Sequence, residues 1–335
     1  MKYLIEIHHG IGDVVQMTGV IESIYRADLN ADIALILNKN SYKSLFRYDE
    51  RVKKIFKIDF KSMSKKEILK EVWKMRKYHF DYFLLSPISN ENASRVLADL
   101  IGAKVSIGEQ IKTKKNNRIH VEPEESKHIV IRNRNLLSKL ECVKTFYNPS
   151  LKLEKPDMQI EINKNTVALC IGTSIPQKTW ELDKYLNIGK KLIESGYEVI
   201  ILGGKKEAEL LNKMRLPEEI RNLAGKTSLI ETAMITAKCI LTIGGDTGVM
   251  HMAAAVNART LTLFSCTDPK LHAPYSDNSY FFNIKIPCQF CYERGVVSQC
   301  QDYKCIKDLN VEEVYECVDS ILKNKNDEKY LFKRG

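Results

Sequence analysis

An α/β fold in two halves is predicted by three features of the chain. Apolar runs of strand length alternate with amphipathic helical segments along most of its 335 residues. In both halves the strands run into glycine loops, at Gly10 and Gly12 in the first and at Gly172, Gly203 and Gly244 in the second. Between the halves, Asn148-Pro149 through Pro156-Asp157 mixes prolines and charges without periodicity, which suits a linker.

The elements follow in order. Tyr3-Leu-Ile-Glu-Ile7 reads as the first strand, and His8 to Tyr25 as a glycine loop entering an amphipathic helix. Asp13 sits at the mouth of that loop, where ligands gather at the carboxyl ends of strands in open α/β sheets; as a plain N-cap it would need no further purpose. Ala31 to Leu37 is the second strand, Tyr42 to Arg47 a helix and Val52 to Ile58 a strand. Lys61 to Lys77 reads as a helix with Ile68, Leu69, Val72 and Trp73 on its buried side and lysines opposite. Those lysines form a solvated face or a site for an anionic acceptor. Phe80 to Ser86 and Ala103 to Gly108 are strands around a helix over Ala93 to Leu100. A basic loop and a helix over Lys127 to Leu140 close the first half.

The second half opens with a strand over Thr166 to Ile171 that ends in Gly172-Thr-Ser and Lys178-Thr-Trp180. Leu182 to Ser195 is helical, with Gly196 as its stop. Glu198 to Gly204 is a strand and glycine turn, and Glu207 begins the next helix. Leu241 to Val256 organises the rest, because an apolar strand stops at glycines and restarts as a small-residue helix near Thr247. The exposed N–H groups and positive dipole end of such a helix suit a phosphate. Asp246 and His251 add an acceptor and a donor beside it; a capped helix with His251 packed in the core is the alternative. Arg259 to Phe264 is a further strand, Val311 to Leu322 an amphipathic helix, and residues 324–335 a charged, frayed tail.

Composition bounds the function. With 44% hydrophobic and 28% charged residues the chain is globular, and its formal net charge of +10 favours anionic partners. Lysines and arginines are interspersed with acids, so a nucleic-acid tail is not indicated, and an anionic substrate or membrane surface fits better. No apolar run approaches the ~20 residues that span a bilayer, and the N-terminus reads as a strand, so a cytoplasmic protein is expected. Its nine cysteines are then expected as thiols or metal ligands.

Four stretches together resemble glycosyltransferase family 9, the ADP-heptose:lipopolysaccharide heptosyltransferases: Gly10-Ile-Gly-Asp-Val-Val15, Gly172-Thr-Ser174 with Lys178-Thr-Trp180, Asn222-Leu-Ala-Gly-Lys226, and Gly245-Asp-Thr-Gly-Val-Met-His251. The resemblance implies a GT-B architecture, two doubly wound Rossmann-like domains facing across a cleft. Residues 1–155 would serve the acceptor and 156–323 the donor. It implies Asp13 as general base, Thr173, Ser174 and Lys178 as donor phosphate contacts, and Glu207 near the nucleoside. Asp246, Thr247, Gly248 and His251 would hold the donor's sugar and pyrophosphate. Lys178 and Asp246 are expected in surface loops.

An inverting transfer needs a carboxylate to take the acceptor proton and fixed donors for the departing diphosphate, and lysine with helix N–H groups can supply the latter without a metal. The implied partners are an ADP-sugar and an anionic glycan or glycolipid acceptor, with peripheral contact at the inner membrane. A protein acceptor, a nucleotide-sugar epimerase of related architecture and a non-catalytic binding module are the alternatives. Cys288, Cys291, Cys300 and Cys305 either close a structural zinc or iron site or stay as reduced thiols in a packed loop.

Overall fold

The computed structural model describes residues 1–323 apart from 8, 89–90, 112–116, 154–159, 174 and 293–296. Ser174, the end of the linker stretch and the charged tail therefore lie outside the described residues. The chain divides into two compact units, Met1–Glu154 and Lys155–Gly335.

The first unit runs β1 (Lys2–Ile7), α1 (Ile11–Gln16), α2 (Thr18–Ala27), β2 (Asp32–Leu37), a 3₁₀ turn over Asn40–Phe46, β3 (Val52–Lys57), α3 (Lys65–Arg76), β4 (Tyr82–Leu85), α4 (Glu91–Ile101), β5 (Val105–Gly108), β6 (Arg118–His120) and α5 (Ile129–Leu137). Its sheet is ordered β3-β2-β1-β4-β5-β6. Every pairing in it is parallel. A parallel sheet is covered on both faces, which is why Leu4, Ile5, Ile7, Leu35 and Ile36 are all buried without alternation. Each such Leu or Ile contributes roughly 1.5–3 kcal/mol on burial. The segment after α5 is tied back to α2, because Tyr147 N–H donates to Ser23 Oγ (2.9 Å) and Ser150 N–H to Thr18 Oγ1 (2.8 Å).

Three expectations in this unit are corrected. The helix at Tyr42–Arg47 is a 3₁₀ turn. The basic loop after β5 contains a three-residue edge strand, β6. On α3, Ile68, Val72 and Met75 face the core, but Leu69 and Trp73 are 53% and 60% exposed rather than buried.

The second unit runs β7 (Thr166–Cys170), a 3₁₀ turn over Pro176–Lys178, α6 (Leu182–Glu194), β8 (Glu198–Leu202), α7 (Lys205–Leu211), β9 (Ile220–Asn222), α8 (Leu229–Lys238), β10 (Leu241–Gly245), α9 (Gly248–Ala255), β11 (Thr260–Leu263), α10 (Pro269–His272), β12 (Ser279–Phe282), a 3₁₀ turn over Val297–Gln299, α11 (Lys304–Lys307) and α12 (Val311–Leu322). Gly196 ends α6 at φ +86°, a left-handed conformation that glycine adopts without strain. The sheet order is β12-β11-β10-β7-β8-β9, again with parallel pairings. Counted from the first strand of each unit, both orders are 3-2-1-4-5-6, the doubly wound arrangement whose strand order reverses between strands 1 and 4. That reversal opens a crevice at the carboxyl ends of β1 and β4 in one unit and of β7 and β10 in the other.

Candidate active site

The second crevice carries a buried polar cluster. Lys178 follows β7, Asp246 follows β10, and the two strands are neighbours. Lys178 Nζ lies 2.5 Å from Asp246 Oδ2, which also accepts from Thr267 Oγ1 at 2.7 Å. The loops close together because Gly245 lacks a side chain: a Cβ there would stand 2.9 Å from the Lys178 carbonyl oxygen. At Gly244 a Cβ would stand 2.8 Å from Met250 Sδ and 2.9 Å from the Cys170 carbonyl oxygen. These glycines serve close approach rather than left-handed backbone.

Both members of the pair, expected in surface loops, are largely withdrawn from water, with side chains 13% (Lys178) and 6% (Asp246) exposed. Burial opposes the Asp246 charge, but Lys178, with His251 and Thr267, outweighs it and holds the carboxyl below the usual range. Burial likewise opposes the Lys178 ammonium, and Asp246 overcomes it, so this pKa is raised. His251 Nε2 is 3.9 Å from Asp246 Oδ1. Burial dominates there, helped by His272 and Lys178 and opposed by Asp246, and brings the imidazole to about 4. At neutral pH His251 is uncharged and its contact with Asp246 is dipolar.

Thr247 is the N-cap of α9 and Gly248 its first residue. The Thr247 hydroxyl oxygen is buried and has no hydrogen-bond partner among the described residues. The α9 N-terminus thus presents backbone N–H groups and one unsatisfied hydroxyl beside a lysine, a set that suits an anion.

Thr173 and Glu207 lie to one side of this cluster. Thr173 Oγ1 accepts from Ile175 N–H (3.2 Å) and donates to the Ile175 carbonyl (3.1 Å), shaping the turn before Lys178. Glu207 Oε2 accepts from Gly204 N–H at 2.8 Å and so caps α7. Both line a cavity of about 240 Å³, with Ile171, Trp180, Leu182, Lys206 and Leu210 among its walls. Its lining of apolar side chains with a few polar ones suits a flat, partly polar group.

In the first unit, Asp13 belongs to the crevice beyond β1. It is not in a loop and is not an N-cap. It is the third residue of α1, and its Oδ2 accepts from the N–H of Gly10, the cap residue, at 2.9 Å.

The sequence-predicted residues thus fall into three groups: Lys178, Asp246, Thr247, Gly248 and His251 together, Thr173 and Glu207 at the cavity, and Asp13 in the other unit. Two contributors escaped the sequence reading. Thr267 follows β11 and donates to the same Asp246 oxygen as Lys178. Tyr292 places its ring 5.3 Å from Lys178 Nζ, a cation–π distance, and the ring meets that of His272 edge-on at 6.2 Å. The Ser-Cys-Thr-Asp-Pro run after β11 was the available signal for Thr267.

The cysteines form a neighbourhood without closing into a site. Burial pushes the Cys305 thiol up to about 12, and Cys266, Cys291, Cys300 and Cys288 add to that rise. Among the described residues, however, no group of three or more His, Cys, Asp or Glu side chains is arranged to hold a metal ion. Cys266, which the motif did not include, reaches the site: its carbonyl accepts from Tyr292 N–H at 3.0 Å, and Lys178 partly offsets the burial that raises its thiol.

The model of glycosyltransferase family 9 (heptosyltransferase) matches residues 68–301. That stretch includes Lys178, Glu207, Asp246 and His251, and leaves Asp13 and Cys305 outside. Lipooligosaccharide heptosyltransferase 2 of Haemophilus influenzae is 37% identical over 125 residues, 35% of this chain and 36% of that protein. The match to this curated relative therefore spans about a third of its length. Lipopolysaccharide heptosyltransferase 3 of Escherichia coli is 24% identical over 290 residues, 80% of this chain and 83% of that one. Among solved structures, the family 9 glycosyl transferase of Veillonella parvula superposes with a TM-score of 0.82 at 16% identity, covering 96% of this chain and 97% of that one. ADP-heptose lps heptosyltransferase II of E. coli gives 0.77 at 20%, covering 97% and 99%. The iron-containing dodecameric glycosyltransferase TibC of E. coli gives 0.61 at 10%, covering 97% and 77%. At these identities the structural likeness is one of fold.

Proposed function

The chain belongs to glycosyltransferase family 9, and from that premise we propose that it moves a heptose, or a similar sugar, from an ADP-linked donor to an acceptor hydroxyl with inversion. A lipopolysaccharide core or related surface glycan is the proposed acceptor. The observation that carries this reading is the buried Lys178–Asp246–Thr267 cluster against the N-terminus of α9, at the strand-order reversal of the second unit. One donor N–H of the Lys178 ammonium is committed to Asp246, which leaves others for phosphate oxygens. Thr247, Gly248 and the α9 dipole add neutral donors that need no reorganisation as charge grows on the departing diphosphate. Asp246, anionic and locked by Lys178, suits a sugar hydroxyl rather than a phosphate. Neutral His251 can likewise serve as a donor there. Thr173 and Ser174 are assigned with Lys178 to the donor phosphates, and Glu207 to the nucleoside, for which the cavity it lines has room.

In the chemical step Asp13 accepts the proton of the acceptor hydroxyl, the freed oxygen bonds to the anomeric carbon, and that carbon's bond to the diphosphate breaks. ADP departs carrying the electron pair. Positive charge for this step is assigned to Lys178 and the helix end. For the thiols around Cys305 two readings stand: a structural zinc or iron that draws Cys288, Cys291, Cys300 and Cys305 into a tetrahedral set, or reduced thiols in a packed loop. Stoichiometric metal in anaerobically purified protein supports the first, and substoichiometric metal the second. Among the described residues no helix is long and apolar enough to cross a membrane. We place the chain in the cytoplasm, in peripheral contact with the inner membrane, with no nucleic-acid partner.

The test offers a panel of sugar nucleotides with lipopolysaccharide-core and protein acceptors and reads the acceptor by mass spectrometry. A gain of one heptose on the core from the ADP-sugar supports the proposal. Transfer to protein alone favours a protein O-heptosyltransferase, and no transfer from any donor favours a binding protein.

A further inference from the structure

Helix α3 is built to hold a surface outward. Ser64 caps it, with its hydroxyl and the Glu67 carboxylate exchanging hydrogen bonds with each other's backbone N–H. Ile68, Val72 and Met75 anchor one face in the core. On the other face Lys66, Leu69, Lys70, Trp73 and Lys77 recur at the three- and four-residue spacing that puts side chains on one stripe, and all five are exposed. Trp73 and Leu69 are the large apolar members, at 60% and 53% exposure. Lys77 Nζ stands 3.5 Å from the centre of the Trp73 ring.

The acids of this helix do not dilute the stripe. Glu67 is engaged at the cap, and Glu71 pairs with Lys74 at 2.6 Å on the flank. Residues 61–77 hold seven cations and two acids, half of the chain's formal net charge of +10. A merely solvated face would carry the lysines without an exposed Trp and Leu between them. An indole flanked by ammonium groups matches a bilayer interface, where the ring sits at headgroup depth and the lysines meet lipid phosphates.

We propose that α3 docks the chain onto an anionic lipid bilayer, with Trp73 and Leu69 entering the headgroup layer and Lys66, Lys70 and Lys77 meeting the charged lipids. The choice of lipid rests on the proposed placement at the inner membrane. Docking is measured without any sugar transfer, so failure of either idea is readable alone.

The full chain is mixed with phosphatidylglycerol-containing vesicles and, separately, with pure phosphatidylcholine vesicles at low ionic strength. Partition is read by sedimentation and by tryptophan emission. Of the chain's two tryptophans, Trp180 is buried with its indole N–H on the Leu309 carbonyl, so changes in emission report Trp73. The expected result is sedimentation with the anionic vesicles only, a blue shift, and shielding of Trp73 from an aqueous quencher. Exchanging Lys66, Lys70 and Lys77 together for Gln should weaken partition about a hundredfold, since each surface lysine contributes about fivefold. Trp73→Ala should weaken it about tenfold. The melting temperature of both variants should stay that of the parent, because these side chains are exposed. Sedimentation with no shift of Trp73, equal partition of the triple Gln variant, or indifference of the parent to anionic vesicles would overturn the proposal. Capture of the parent by a soluble acidic protein or free glycan in place of vesicles would also overturn it.

Discussion

Replacing Lys178 by Met removes the cation from a pair whose remaining member has nowhere to go. Asp246 would keep the Thr267 hydroxyl at 2.7 Å and the imidazole of His251 at 3.9 Å, and would remain only 6% exposed at its side chain. Breaking a buried pair in this way costs about 3–5 kcal/mol at neutral pH, because an uncompensated charge is left inside. The sign with pH follows. In the parent the Asp246 carboxyl titrates below its unfolded value, so its contribution is present above about pH 4 and is lost as pH falls through the folded pKa. In Lys178→Met burial, the largest single influence on this carboxyl, is opposed only by Thr267 and His251 and raises the folded pKa above the unfolded one. The variant's carboxyl then favours the fold at low pH and penalises it as pH rises. The difference between parent and variant should therefore be largest near neutrality and shrink toward about pH 4.

In a Trp73→Phe background, urea unfolding followed by emission reads the second unit, where Trp180 is buried. Two units need not unfold together, so the local probe matters. Adding Asp246→Asn to the variant should recover part of the loss, since the stranded charge is removed. A penalty under about 1 kcal/mol that does not change with pH would mean that the pair behaves as an exposed surface bridge, and the cluster would lose its buried character.

Three further outcomes follow from the same geometry. Tyr292→Leu should weaken ADP binding about threefold to tenfold while Tyr292→Phe retains it, as cation–π support of Lys178 requires the ring and not the hydroxyl; calorimetric titration separates this from a packing role, which Leu would fill. His251 should show no protonation between pH 5.5 and 8 by NMR of the free protein, and its contribution to stability should fall on acidification from about 6.5 toward about 4, where the unfolded chain takes up the proton first. Gly245→Ala should destabilise the second unit and weaken ADP binding together, because the added methyl meets the Lys178 carbonyl at 2.9 Å.

Strand runs with both faces buried were legible because their apolar residues are continuous, as in Ile33 to Leu37 and Val167 to Ile171. The short edge strands over Arg118–His120 and Ile220–Asn222 were not, since three half-polar residues carry no period. At the site, the helix beginning beside Thr247 was legible from its glycines and small residues. The depth of Lys178 and Asp246 was not. They are 68 residues apart, and only the neighbouring of β7 and β10 brings them together and buries them. Local charge reads as exposure, which put both in surface loops. The opposite error fell on α3, where apolar character read as core for Leu69 and Trp73. Helical spacing alone allowed a stripe on either side, and packing against the sheet chose Ile68, Val72 and Met75. Asp13 was taken for a loop residue because two glycines precede it, yet the Gly10 backbone and the Asp13 carboxylate together start a helix.

The most direct measurement compares the parent with Asp13→Asn in transfer from ADP-heptose to a lipopolysaccharide-core acceptor, with ADP affinity measured on both proteins. Asn keeps the shape and can still accept the Gly10 N–H through its amide oxygen, but it cannot take a proton. The account predicts that the parent adds one heptose and that turnover falls by about 10²- to 10⁴-fold in the variant while ADP affinity stays nearly constant. Near-native turnover by Asp13→Asn would contradict the assignment of the base and leave Asp13 as a helix-starting residue only. Absence of transfer by the parent would contradict the proposed activity itself.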